Sequence, residues 1–145
     1  MLRSLLPLTT LVALPLAAST GQAQAAAPAP APAPRIFLRT PTDGAVLRGG
    51  KVTVVFGLQN YGVAPAGMDF PNTGHFHLLI DADAPEPGVV IPTDAQHLHF
   101  GKGQIETSVE LPPGRHVLRV VLGDHQHRVI SKELVSAPVR VTVRR

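Results

Sequence analysis

From Arg35 onward apolar residues recur at every second position, and no stretch sustains the i, i+3, i+4 spacing of a helical stripe. Val52, Val54, Phe56 and Leu58 share one face of a predicted strand. Ile105, Thr107, Val109 and Leu111 alternate with Glu106, Ser108 and Glu110, and Val139, Val141 and Val143 alternate with Arg140, Thr142 and Arg144. Each segment has one dry and one wet face, as half-buried antiparallel strands do. Turn signals separate them: Pro41-Thr42-Asp43-Gly44, Gly49-Gly50, Lys102-Gly103, Pro112-Pro113-Gly114 and Gly123-Asp124. About seven short strands so punctuated predict an all-β fold, a small antiparallel β-sandwich of immunoglobulin-like type, with a small β-barrel as the alternative. The longest loop, Asn60 to Asn72, is rich in Gly and Pro.

The first 25 residues do not fit this pattern. Arg3 is followed by the apolar run Leu5 to Leu16 and by Ala23-Gln24-Ala25, the three parts of a cleavable export signal. That run is too short for the roughly 20 residues of a bilayer span. Residues 26–34 alternate Ala and Pro, which predicts an extended, semi-rigid linker. The expected folded domain is therefore 35–145, in a chain that is periplasmic or secreted after cleavage near Ala25, with no membrane span in the mature protein. The net charge of +3 falls to +2 without Arg3 and the basic residues are scattered, which argues against nucleic acid as a partner. Cysteine is absent, so neither a disulfide nor a thiolate ligand is available.

Six of the seven histidines form three H-x-H dyads: His75 and His77, His97 and His99, His125 and His127. Residues i and i+2 of a strand point the same way, about 6.6 Å apart, so both imidazoles of a dyad can converge on one ion. Phe76, Leu78 and Ile80 lie on a dry face opposite His75, His77 and Asp81, and Leu98 and Phe100 lie opposite His97 and His99. The third dyad follows Gly123-Asp124 and is expected at a strand end or in a loop. If Lys102-Gly103 is a two-residue hairpin loop, Phe100 faces Ile105, His99 faces Glu106 and Leu98 faces Thr107. Glu106 is then an outer partner for the site or a direct ligand, with Asp81 and Asp124 as further acidic candidates.

Neutral imidazoles suit copper and zinc. Copper is the expected ion in an oxidising compartment without thiols, and zinc the alternative. Met68 is a possible soft ligand for reduced copper. His116 is in phase with Leu118, Val120 and Leu122, which predicts a structural role. Ser108 near His97 makes only a weak catalytic pair, and Gly101-Lys102-Gly103 lacks the helix a phosphate loop needs.

The segments GVAPAG, TGHFHLLID, HLHFGKGQIE and LPPGRHVLRVVLGDHQH resemble an uncharacterised family of exported bacterial proteins, domain of unknown function 4399. The resemblance covers about Ile36 to Val143. It implies a small periplasmic all-β domain with a histidine-rich site, and no activity. The family's first segment often has three consecutive histidines, where this chain has Phe76 in the middle; the His75 and His77 pair is left intact.

The expected function is metal binding in the periplasm: copper or zinc sequestration or delivery through the three dyads, without catalysis. The alternatives are a metal-dependent, oxidoreductase-like enzyme and a metal-free module binding a protein or glycan of the cell envelope. The expected partners are the ion and another envelope protein.

Overall fold

β-Branched residues at every second position commit the chain to extended structure, because their side chains pack well on a pleated, half-buried surface. The computed structural model describes residues 31–145. The strands are β1 (Arg35–Thr40), β2 (Ala45–Arg48), β3 (Lys51–Gln59), β4 (Gly62–Val63), β5 (Thr73–Ile80), β6 (His97–Phe100), β7 (Glu106–Glu110), β8 (Gly114–Gly123) and β9 (Val139–Arg144). The only helical element among the described residues is a 3-10 turn, Lys132–Leu134. None is long and apolar enough to cross a membrane. The expected export signal and residues 26–30 of the expected linker lie outside the described residues. The last linker residues are joined to the domain at Ala33, whose carbonyl accepts from Asn60 Nδ2 at 2.9 Å.

Two sheets face each other. One has the order β1-β3-β7; the other runs β2-β9-β8-β5, with β4 and β6 on the free edge of β5. All pairings are antiparallel except β2 with β9 and β4 with β5. The result is the β-sandwich that the alternation predicts, of immunoglobulin-like type. The main core lies between the sheets, where Phe56 stacks on Phe76 at 4.7 Å and meets Phe100 at 5.2 Å. Val54, Leu78, Leu118, Val120 and Leu122 fill the rest. Each such buried side chain stabilises the fold by about 1.5–3 kcal/mol.

The predicted hairpin at Lys102-Gly103 does not form. β6 pairs with β5, placing His99 opposite His77 and Phe100 opposite Phe76. β7 pairs with β3, placing Glu106 opposite Val55. The Lys102-Gly103 turn carries the chain from one sheet to the other, because Phe100 and Val109 both reach the same core from opposite sides. Ile105, expected on the dry face, lies just before β7 and is exposed.

A second, smaller core covers the other face of the large sheet. Leu79, Ile91, Val121 and Val129 pack there, contributed by β5, β8 and the segments that follow them. β5 is therefore buried on both sides, and the face that carries His75 and His77 is not the wet one the alternation implied. The strand's polar residues there are covered by Ile91 and its neighbours, which a period-2 reading has no means to place.

Candidate metal centre

His75 and His77 sit in the middle of the large sheet. They occupy successive same-side positions of β5, with β8 on one flank (His75 opposite Gly123, His77 opposite Val121) and β6 on the other. Both side chains are essentially inaccessible, at 1% and 0% exposure. The cross-strand register delivers His99 beside His77.

His127 arrives by a different route. After β8, Asp124 Oδ1 accepts the backbone N–H groups of Gln126 and Arg128, both at 2.8 Å. The Asp124 carbonyl accepts from His127 N at 2.9 Å. This turn holds His127 at a left-handed φ of 65°, and Ile91 N–H anchors its carbonyl at 2.8 Å.

Four rings meet in consequence. The centroid separations are 4.9 Å for His75 with each of His77, His99 and His127, 5.0 Å for His77–His99, 4.8 Å for His99–His127 and 5.9 Å for His77–His127. Four imidazoles on one ion at about 2.0–2.1 Å would place ring centres about 5.2 Å apart in a tetrahedron, against about 4.5 and 6.4 Å for adjacent and opposite rings in a square plane. The arrangement is close to the tetrahedral one, opened along His77–His127. Nε2 of His75 and Nε2 of His77 are 3.0 Å apart, within the spread for two ligands of one ion. Candidate ligand atoms of His75, His77 and His99 all lie within 4.8 Å of one another; His127, whose ring stands beside them, falls outside this set and would complete the shell only by turning its ring.

The electrostatics match. Burial, then the neighbouring rings, push the His75 pKa down to about 4 and that of His77 to about 3. Burial first and His127 second lower His99 as well. Imidazoles held neutral are ready to ligate, since the lone pair needs no deprotonation. Nδ1 of both His75 and His77 is buried without a hydrogen-bond partner. Ligation through Nε2 would leave both Nδ1 atoms unpaired, so they add no preference for a bound cation. His99 is exposed and His127 partly so, which gives the centre one side open to solvent.

Two glycines make room for the rings. A Cβ on Gly123 would stand 2.9 Å from His77 Nε2 and 3.3 Å from Ile91 Cδ1. One on Gly101 would collide with the His99 ring. The sequence marks Gly123 only as a turn signal and Gly101 only as part of Gly101-Lys102-Gly103, with no sign of the ring that each accommodates.

The other expected site residues lie apart from the four rings. His97 Nδ1 pairs with Asp94 Oδ1 at 2.8 Å, and His125 Nδ1 stands 3.4 Å from Asp69 Oδ1, so each dyad of the second and third pairs contributes one ring. Glu106 is exposed on the opposite sheet. Asp81 serves the far end of β5, where its two oxygens take His116 Nδ1 and Val117 N–H, each at 2.7 Å. His116 Nε2 is held by the Pro112 carbonyl at 2.9 Å, the structural role its phase predicts. Only Asp124 works at the centre: it builds the His127 turn, and its charge partly offsets the depression of His75.

A family model described as domain of unknown function (DUF4399) matches residues 54–144, which include all four rings. The chain belongs to this family. No curated protein matches this DUF4399 member. Among solved structures, the fibronectin(III)-like modules of Clostridium thermocellum CbhA are similar at 17% identity, over 74% of this chain and 92% of theirs, with a TM-score of 0.36.

Proposed function

We propose that this DUF4399 protein binds one transition-metal ion through His75, His77, His99 and His127, and that it sequesters or delivers the ion in the cell envelope. The observation that carries the reading is the convergence of the His75, His77 and His99 nitrogens beside the His127 ring, with two of the imidazoles buried and held neutral. With His127 as the fourth ligand the tetrahedral shell is filled and leaves no position for substrate, which favours holding an ion over catalysis. The signal-like N-terminus supports the envelope as the compartment.

Copper and zinc remain the two candidate ions, and two effects pull apart. The ring arrangement suits zinc as it stands, whereas copper(II) prefers a flatter set, toward which the 5.9 Å His77–His127 separation opens. Intrinsic affinity for nitrogen donors favours copper(II) over zinc. Elemental analysis of protein purified without a histidine tag, followed by titration with each metal, tests the proposal. The expected result is one ion per chain, lost in the His77→Ala/His99→Ala variant. Binding no tighter than about micromolar for copper, zinc and nickel alike would sink it.

One observation favours an enzyme as the second reading. His99 is exposed, so its departure would open a coordination position. Exchangeable solvent on the bound metal in wild-type protein, with turnover abolished by His99→Ala, would support that reading over simple storage.

A further inference from the structure

Beside the four-imidazole centre the loop that follows β4 and the turn after β8 enclose a cleft of about 380 Å³. Tyr61, Met68, Asp69, Phe70, His125 and Arg128 are among its lining residues. We propose that this cleft is an outer, labile station for the same ion, built on His125 and Asp69, through which the ion enters and leaves the centre. The inference rests on the metal-binding reading above and adds a route to it.

The His125–Asp69 spacing is the first argument. At 3.4 Å the pair is longer than the about 2.7–3.2 Å of a good N–H···O hydrogen bond. It matches the about 3.3 Å between two ligands of one tetrahedral ion. An imidazole and a carboxylate together suit zinc and copper(II), and two ligands alone hold an ion weakly enough to release it. Met68 stands at the lip, 46% exposed, and adds a thioether for reduced copper.

Connectivity is the second argument. His125 and His127 belong to one five-residue turn anchored by Asp124. Gly67 N–H donates to the His125 carbonyl at 3.2 Å, which ties the Met68–Asp69 segment to that turn. An ion on His125 is therefore two residues from a ligand of the centre. His75 and His77 are sealed from solvent, so an arriving ion first meets an accessible ring, either His99 or His127 of the centre or His125 in the cleft. The Arg128 guanidinium, held on the Gly88 carbonyl at 3.0 Å, is part of the cleft wall, and its charge favours a short stay for a cation there.

The test is the rate of transfer, separated from affinity. Stopped-flow mixing of the untagged chain with zinc(II) or copper(II) on a chromophoric chelator gives the loading rate, and excess chelator gives release. In the His125→Ala/Asp69→Ala variant both rates should fall by about tenfold with the equilibrium constant within about threefold of wild type, since a station on the path alters rates alone. Unchanged rates would overturn the proposal. So would a loss of affinity comparable to that of His127→Ala, which would make His125 a ligand of the centre itself. If the double variant does not fold, Asp69→Asn, which preserves shape and removes the charge, carries the test with the same outcomes. Wild-type protein that binds no metal would instead refute the centre, so the two failures are distinguishable.

Discussion

Gly101 and Gly123 are where single atoms decide whether the rings can converge. A methyl on Gly123 meets His77, which is walled in by Ile91 and has nowhere to go. Gly123→Ala should therefore cost both stability and metal affinity. A methyl on Gly101 meets His99, whose exposed ring can swing away. Gly101→Ala should remove one ligand and leave the fold intact: a fall in affinity of at least about 100-fold, above the roughly 10- to 100-fold typical of outer partners, with an apo melting temperature close to wild type. Titration and thermal melts of the two variants check the contrast; equal affinity in Gly101→Ala and wild type would remove His99 from the ligand set. The depressed pKa values make a second residue-scale prediction. At pH 6, four ordinary imidazoles would release about three protons on metal binding. With His75 and His77 already neutral at pH 6 and His99 shifted the same way, release should fall at least about 1.5 protons below that figure, read from calorimetry in buffers of different ionisation enthalpy.

Between elements, two aspartates hold the two ends of the long β5–β8 ladder. Asp124 organises the turn that presents His127. Asp124→Ala should lower metal affinity about 10- to 100-fold while the strands persist, because the turn and not the sheet loses its anchor. Titration and circular dichroism report these separately. At the other end Asp81 clamps the start of β8 through Val117 and His116. Burial alone would lower the His116 pKa, but the bonds to Asp81 and the Pro112 carbonyl outweigh it and raise the value. Asp81→Asn should bring that pKa down in an NMR titration and cost about 2 kcal/mol of stability. The strands themselves were legible in the sequence, because period-2 alternation at β3 and β9 depends only on which face is dry. Strand partners were not. Leu98 and Phe100 match Thr107 and Ile105 in a hairpin as well as they match Leu78 and Phe76 across β5, and polarity matching cannot choose between them. Of the centre, the dyads revealed the residue type, and period 2 placed His75 and His77 on one side. That His97 and His125 turn to Asp94 and Asp69 instead depends on loops whose paths leave no periodic trace.

Across the whole molecule, burying two neutral histidines ties folding to pH with a definite sign. The unfolded chain takes up protons on His75 and His77 near pH 6.5, whereas the folded chain resists until about pH 4 and 3. Below pH 6.5 the unfolded state binds more protons, so apo stability falls with pH through that window and levels off below pH 3 to 4. By pH 4.5 the two residues together should have removed on the order of 5 kcal/mol. His116 works in the opposite direction: its raised pKa adds stability that is complete below pH 6.5 and is lost as pH rises through its folded value. Asp81→Asn should erase the alkaline loss and leave the acid slope untouched, whereas His77→Phe should flatten the acid slope alone. Metal enters the same balance. An ion that binds only the folded chain stabilises it by about 2.7 kcal/mol at a hundredfold excess over its dissociation constant, and joins β5, β6 and the turn after β8 through one atom. The holo protein should therefore melt higher than the apo protein at pH 7, and the gap should narrow toward pH 4, as protons gain the rings the ion requires. Thermal melts of both forms from pH 4 to 8 check this. A gap independent of pH would mean that the ion sits on groups other than these imidazoles.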